Sequence, residues 1–169
     1  MKLPDDLTIR HTTPDDHPRV LAVLDRWWGE VGGSEGSRQR ALLLPRLFFQ
    51  HFTDSGFLVE RDGEPVGFLI GFLSQSRADE SYVHFVGVSP EARGHGLGRL
   101  LYQRFFDHSR EHGRSRVRAI TSTANLGSYG FHTRMGFAVE PGVTGPDGRQ
   151  LHPDYDGPGL DRVAFVRAL

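Results

Sequence analysis

Apolar positions along this chain change period several times, and each change marks an element. Leu7 to His11 alternates as a strand does. Thr12 or Thr13 can then cap a helix with Pro14 in its first turn. Behind it Val20, Leu21, Val23, Leu24, Trp27 and Trp28 recur at helical spacing. The stretch Gly29 to Gly36 breaks that stripe. Ser37 can cap a second helix, Arg38 to Phe52, with Leu42, Leu43, Leu47, Phe48 and His51 in register and Pro45 placed to kink or divide it. Gly56 to Glu60 and Val66 to Leu73 read as strands joined at Asp62-Gly63-Glu64, where Asp-Gly signals a hairpin. Tyr82 to Val88 is a further strand, Leu97 to His112 an amphipathic helix and Arg116 to Ser122 a strand. Gly136 fits the C′ position of a short helix opened near Asn125, Phe137 starts the next strand, and Val163 to Val166 is the last. The expected order is β-α-α-β-β-β-α-β-α-β-β, an α/β fold without an internal repeat.

The run from Val139 to Gly159 breaks the pattern, with four prolines and five glycines beside Asp147, Asp154 and Asp156. It reads as a long connection, either a functional lid or a disordered loop.

Composition narrows the classes. The 169 residues suit one domain over 1–169 with a full core. Without cysteine there is no disulfide framework, no thiolate metal site and no cysteine nucleophile. No apolar run reaches the roughly 18 residues that span a bilayer. Met1-Lys2-Leu3-Pro4-Asp5-Asp6 lacks the apolar region of a secretory signal, so a cytoplasmic enzyme with no membrane partner is expected. A formal net charge of −1 supplies no field that would favour nucleic acid.

The densest chemistry lies in Val83 to Leu101, where an apolar strand runs into Ser89-Pro90-Glu91-Ala92, then Arg93-Gly94-His95-Gly96-Leu97-Gly98-Arg99, then a helix. Glycines allow positive φ and close approach of backbone to a ligand. The helix N-terminus offers unpaired N–H groups and the positive end of its dipole, which together attract a diphosphate. Arg93 adds a cationic fork matched to phosphate oxygens. A Walker loop would need Lys-Ser/Thr after its last glycine, and Gly98 is followed by Arg99-Leu100. A dinucleotide fingerprint read from Gly94 meets Arg99 where its third glycine should stand. A plain glycine-rich turn is the structural alternative.

Arg93-x-x-Gly96-x-Gly98 after a strand ending Val-x-Val-x-Pro resembles the acetyl-CoA signature of the GCN5-related N-acetyltransferase (GNAT) family. Asn125, the helix through Tyr129 to His132 and the closing Gly136-Phe137 resemble that family's second motif, in the same order and spacing. The resemblance covers about a third of the chain. It implies the GNAT (acyl-CoA N-acyltransferase) fold, a mixed central sheet flanked by helices, and direct transfer of acetyl from acetyl-CoA to an amine, with no metal.

The resemblance also assigns roles. Val86, Gly87, Val88, Arg93, Gly94, His95, Gly96, Leu97, Gly98 and Arg99 would hold CoA, with Asn125 and His132 beside it. In the family a bulge in the cradle strand supplies an N–H to the thioester oxygen, which draws attention to Gly87 and Val88. His132 stands where many relatives carry the tyrosine that protonates the CoA sulfur. Tyr82 stands where histone-acetylating members carry a glutamate base, and Glu80 and His84 share its face of a regular strand. Each histidine can equally be structural, and no dedicated base is required if proximity dominates. Trp27 and Trp28 point about 100° apart on one helix, so one could line the acceptor pocket and the other the core. Tyr155, with His152 and Asp156, could contact substrate from the long connection. A small-molecule amine is the preferred acceptor. The alternatives are a protein N-terminal or lysine acetyltransferase and a non-catalytic acyl-CoA-binding sensor. Homodimers are common in the family and one is admissible here.

Overall fold

The computed structural model describes residues 4–28 and 33–169. The chain forms two compact units, one of residues up to Phe72 with Val83–His108, the other Leu73–Tyr82 with Ser109–Leu169.

In the first unit β1 (Leu7–His11), β2 (Phe57–Arg61) and β3 (Glu64–Leu73) form an antiparallel ladder with β4 (Glu80–Val88) beside β3. The β2–β3 turn places Asp62 and Gly63 at φ of 51° and 79°, as the Asp-Gly pair predicts for a primed turn. Helix α1 (Asp16–Trp28) buries Val20, Val23, Leu24 and Trp27 against Leu58, Phe68 and Ile70. Helix α4 (Leu97–Glu111) packs where β3 carries Gly67: a Cβ there would stand 3.0 Å from Leu97 Cδ2 and 3.4 Å from Leu101 Cδ1.

The start of α1 is fixed by charge. The Asp16 carboxylate accepts from the Thr13 N–H (2.8 Å) and hydroxyl (3.1 Å), and from Arg10 (2.7 and 2.8 Å) and Arg19 (2.7 Å). Both arginines also bond Glu60 on β2. Burial alone works against the Asp16 carboxylate, but these donors prevail and hold its carboxyl well below the usual carboxylate range; Glu60 is lowered by the same balance.

Two helical expectations change. The second helix begins at Gly33 as α2 (Gly33–Leu42), and α3 (Leu47–His51) follows as a separate element. Gly33 to Gly36, expected to break the pattern, thus lie inside α2, and residues 29–32 of that expectation fall outside the described residues. Pro45 divides the run because it lacks an N–H and its ring collides with the preceding turn.

In the second unit, β5 (Arg116–Ser122) pairs in parallel with Glu80–Tyr82 of β4 and antiparallel with β9 (Arg162–Ala168), which takes β6 (Ala138–Val139) on its other side. The strand order is β1-β2-β3-β4-β5-β9-β6, a mixed sheet of seven strands. Helix α5 (Leu126–Arg134) is capped by Asn125, whose Oδ1 accepts from the Ser128 N–H (3.0 Å), and Gly136 follows at φ 84° as its C′ residue. The connection expected to be a lid or disordered carries a hairpin of β7 (Val143–Thr144) and β8 (Gln150–Leu151), then a bridge from His152 to Arg162. Its aspartates serve as turn acceptors: Asp154 Oδ1 takes the Gly159 N–H and Asp161 Oδ1 takes the Asp154 N–H. Among the described residues, no helix is long and apolar enough to cross a membrane.

Because Asp16 and Glu60 titrate lower in the folded state, their contribution is present above the unfolded carboxylate pKa of about 4 and is lost as pH falls below it. Asp16→Asn is expected to cost about 2–3 kcal/mol at neutral pH and to flatten the decline in melting temperature below about pH 5, as measured by thermal unfolding across pH.

Candidate active site

The cradle is built from the end of β4. The Ser89 N–H donates to Val66 O (2.9 Å), a 3-10 turn spans Pro90–Ala92, and Arg93 is extended. Gly94 and Gly96 then take φ of 79° and 82° before α4 begins at Leu97. The bond from Leu100 N–H to Gly96 O (3.0 Å) closes the first helical turn. The N–H groups of Leu97, Gly98 and Arg99 therefore lie at the helix end, where intrahelical acceptors run out and the dipole is positive. Ala92, Leu97 and Leu100 are buried while Arg93, Gly94, His95 and Arg99 are exposed, so the loop has anchored ends and an open crest. A hollow of about 370 Å³ adjoins it, lined by Glu91, His95, Gly96 and Leu97 among others. The Arg93 Nε donates to Val88 O (3.2 Å), and its guanidinium lies 5.8 Å from the centroid of the Trp28 ring.

Val86 and Val88 are half-buried and Gly87 is buried. A Cβ on Gly87 would stand 2.6 Å from Phe68 Cε1 and 3.1 Å from Trp28 Cη2. That glycine is demanded by the rings beneath it. Trp27, one of the two rings weighed between acceptor pocket and core, is 8% exposed and stacks on Phe68 at 5.9 Å and 17°. Trp28 is half-buried, and its ring carries the protein's own Arg93. His84 stacks on Phe48 at 4.5 Å and bonds through Nε2 to Leu43 O, which engages it with the α2–α3 junction.

The remaining candidates lie in the second unit. His132 is 4% exposed and stacks on Phe165 (4.7 Å, 14°), with Phe131 and Phe137 edge-on. Its Nδ1 lies 2.8 Å from Ser128 O, so that nitrogen carries the proton in the neutral ring. Burial pushes the imidazole below its ordinary value, and the Ser128 bond opposes this without cancelling it. Glu80 is buried and pairs with Arg118 (2.8 Å) and Arg77 (3.5 Å). Tyr82 is half-buried; burial pushes its phenol above its ordinary range, and Tyr155 and Asp156 push the same way. Tyr155 is exposed beside His152, and Asp156 pairs with Arg162 (2.7 Å).

Two contributors escaped the sequence reading. Arg149 donates to Thr123 O (2.9 Å), lies over the Tyr129 ring at 5.2 Å, and so ties β8 to the entrance of α5. Arg40 donates to Trp28 O (2.9 Å) and ties α2 to the end of α1. Neither contact leaves a local signal, since each joins residues far apart in the chain.

Residues 19–137 match the model of the acetyltransferase (GNAT) family, and the chain belongs to that family. It is 31% identical over 145 residues to the mycothiol acetyltransferase of Nocardia farcinica, a match that covers 80% of this chain and 46% of that enzyme. The chain spans less than two thirds of the length of such relatives. Among solved structures the fold is similar to that of a GNAT-family protein of Desulfovibrio desulfuricans, with a TM-score of 0.73 at 18% identity over 96% of this chain and 98% of that one. It is also similar to the diaminobutyrate acetyltransferase of Paenibacillus lautus solved with L-2,4-diaminobutyric acid and coenzyme A, with a TM-score of 0.64 at 21% identity over 95% and 93%.

Gly87→Ala is expected to lower stability by about 1–3 kcal/mol through overpacking, with part of the loss recovered by adding Phe68→Leu. Thermal unfolding of both variants measures this, and no recovery in the pair would refute the steric account.

Proposed function

We propose that the chain is an acetyl-CoA-dependent N-acetyltransferase acting on the amine of a small molecule. The observation that carries this reading is the cradle, with left-handed Gly94 and Gly96 feeding the N-terminus of α4 beside Arg93. In it, N–H groups from Gly94 to Arg99 take the diphosphate oxygens of CoA. The backbone of Val86 to Val88 pairs with the pantetheine arm as an added strand would. An N–H from that segment faces the thioester oxygen as charge develops there. The amine attacks as the free base, the C–N bond forms, the C–S bond breaks, and the amine proton ends on the CoA sulfur. The small-molecule acceptor is favoured by relatives named for mycothiol and diaminobutyrate.

The state of the titratable candidates favours proton chemistry carried largely by the substrate. Glu80 is committed to Arg118 and Arg77. Tyr82 stays protonated, because burial raises its phenol above its ordinary range. His132 is neutral at pH 7 with its proton on Nδ1, so its Nε2 is an acceptor and packing is its main contribution. Approximation of amine and thioester then supplies most of the acceleration. The same committed groups favour, as a second reading, an acyl-CoA-binding sensor without turnover.

A thiol-release assay with acetyl-CoA across small amines, amino acids and peptides separates these readings. Turnover on small amines is expected; turnover on peptides alone, or CoA binding without turnover on anything, overturns the proposal in favour of a protein acetyltransferase or a sensor. The pH–rate profile is expected to rise with the free-base fraction of the acceptor. It should shift when an amine of different pKa is used and should keep its shape in His132→Phe. A bell fixed by the enzyme, lost in that variant, would return the general-acid role to His132.

A further inference from the structure

We propose that Trp28 is a positioning residue of the cradle: its ring carries the Arg93 guanidinium, so that the terminal donors of the fork are presented to the diphosphate of CoA. This rests on the reading of the cradle as a CoA site. An exposed arginine on a glycine-rich loop samples many rotamers, and each one it leaves open weakens its hold on an anion. Two contacts fix Arg93, the bond from Nε to Val88 O at 3.2 Å and the Trp28 ring 5.8 Å from Cζ. The geometry is compatible with phosphate. A guanidinium uses its face for an aromatic ring, whereas its N–H donors lie in the plane; with Nε–H given to Val88 O, the terminal Nη donors are the ones the proposal assigns to phosphate.

Trp28 can do this because it is itself held. Its Cη2 would stand 3.1 Å from a Cβ on Gly87, so the ring lies against the backbone of β4. Trp27 and Phe85 meet it edge-on, at 5.9 Å and 76° and at 6.3 Å and 73°. Its carbonyl accepts from Arg40 Nη2 at 2.9 Å. The ring thus touches the cradle twice, at Gly87 and at Arg93. A tryptophan face already covered by a guanidinium is not available to the ammonium of an acceptor, which separates this role from acceptor binding.

Calorimetric titration of CoA into the wild type, Trp28→Leu, Trp28→Phe, Arg93→Ala and the Trp28→Leu/Arg93→Ala double variant tests the coupling. A cation–π contact of ordinary strength predicts roughly fivefold weaker binding for Trp28→Leu and less than about twofold for Trp28→Phe. The double variant should bind within about twofold of Arg93→Ala alone, because the two losses share one interaction. Fully additive losses, or equal losses for Leu and Phe, would overturn the role. If Trp28→Leu does not fold, the fluorescence of Trp28 in a Trp27→Phe background decides: CoA should change its emission with Arg93 present and leave it unchanged in Arg93→Ala. A wild type that does not bind CoA overturns the cradle reading itself, whereas wild-type binding with additive variants overturns the positioning role alone.

Discussion

Left-handed backbone would cost an ordinary residue about 1–2 kcal/mol at each position, and glycine avoids that cost only by being free to go elsewhere. Gly94 and Gly96 therefore hold their conformation because the chain on both sides is fixed. Before them Ser89 is bonded to Val66 and Ala92 is buried; after them Leu97 and Leu100 are buried. Leu97 and Leu101 press on β3 where Gly67 admits them. The N–H groups proposed to take the diphosphate are thus preorganised by hydrophobic packing on the far side of the loop, and a ligand has little backbone to order on binding. Arg93 shares this logic one step out, since a flexible side chain is steadied by a ring that is itself wedged against Gly87.

The same packing explains why the proton-transfer candidates look inert. A group that serves as acid or base near neutrality needs an ordinary or deliberately matched pKa and access to the reacting atoms. Burial takes the first from His132 and Tyr82 in opposite senses, leaving the imidazole neutral and the phenol protonated. Ion pairing with two arginines commits Glu80, and stacking on Phe48 commits His84. Acyl transfer from a thioester tolerates this, because the leaving thiolate is a stable anion and the amine can shed its proton before attack. The proposed transfer therefore relies on where the substrates are held.

What could be read in the sequence follows from how local each signal is. The cradle, the Asp62-Gly63 turn, the Asn125 cap and the Gly136 terminus each occupy a few consecutive residues, and each appears where its local chemistry predicts. Pro45 also spoke locally, although pattern alone left open whether it kinks or divides. The side-chain roles were harder to read. Trp27 and Trp28 differ in no sequence property, and their fates were decided by Phe68 and Arg93, distant residues that select one ring for the core and the other for the loop. The connection after Val139 reads as unstructured by composition. Its order comes from the β7–β8 hairpin, from Arg149 reaching Thr123, and from the bridge between His152 and Arg162, none of which shows as a periodicity.

That contrast bears on how one fold serves different acceptors. In the proposed site, donor recognition is mostly backbone: N–H groups at a helix end and along a strand, which survive substitution of almost any side chain that preserves the two glycine conformations and the packing behind them. Acceptor recognition has no such backbone rule and depends on side chains; Tyr155, exposed on the β8–β9 connection, is one proposed for it. On this reading a chain can keep the cradle while its acceptor side changes. The Arg149 tie sharpens the point, because it anchors the hairpin segment to Thr123, just ahead of the Asn125 cap of α5. A residue exchanged on the hairpin can then alter the acceptor surface while that anchor preserves the helix start, so acceptor specificity can drift without disturbing the donor site.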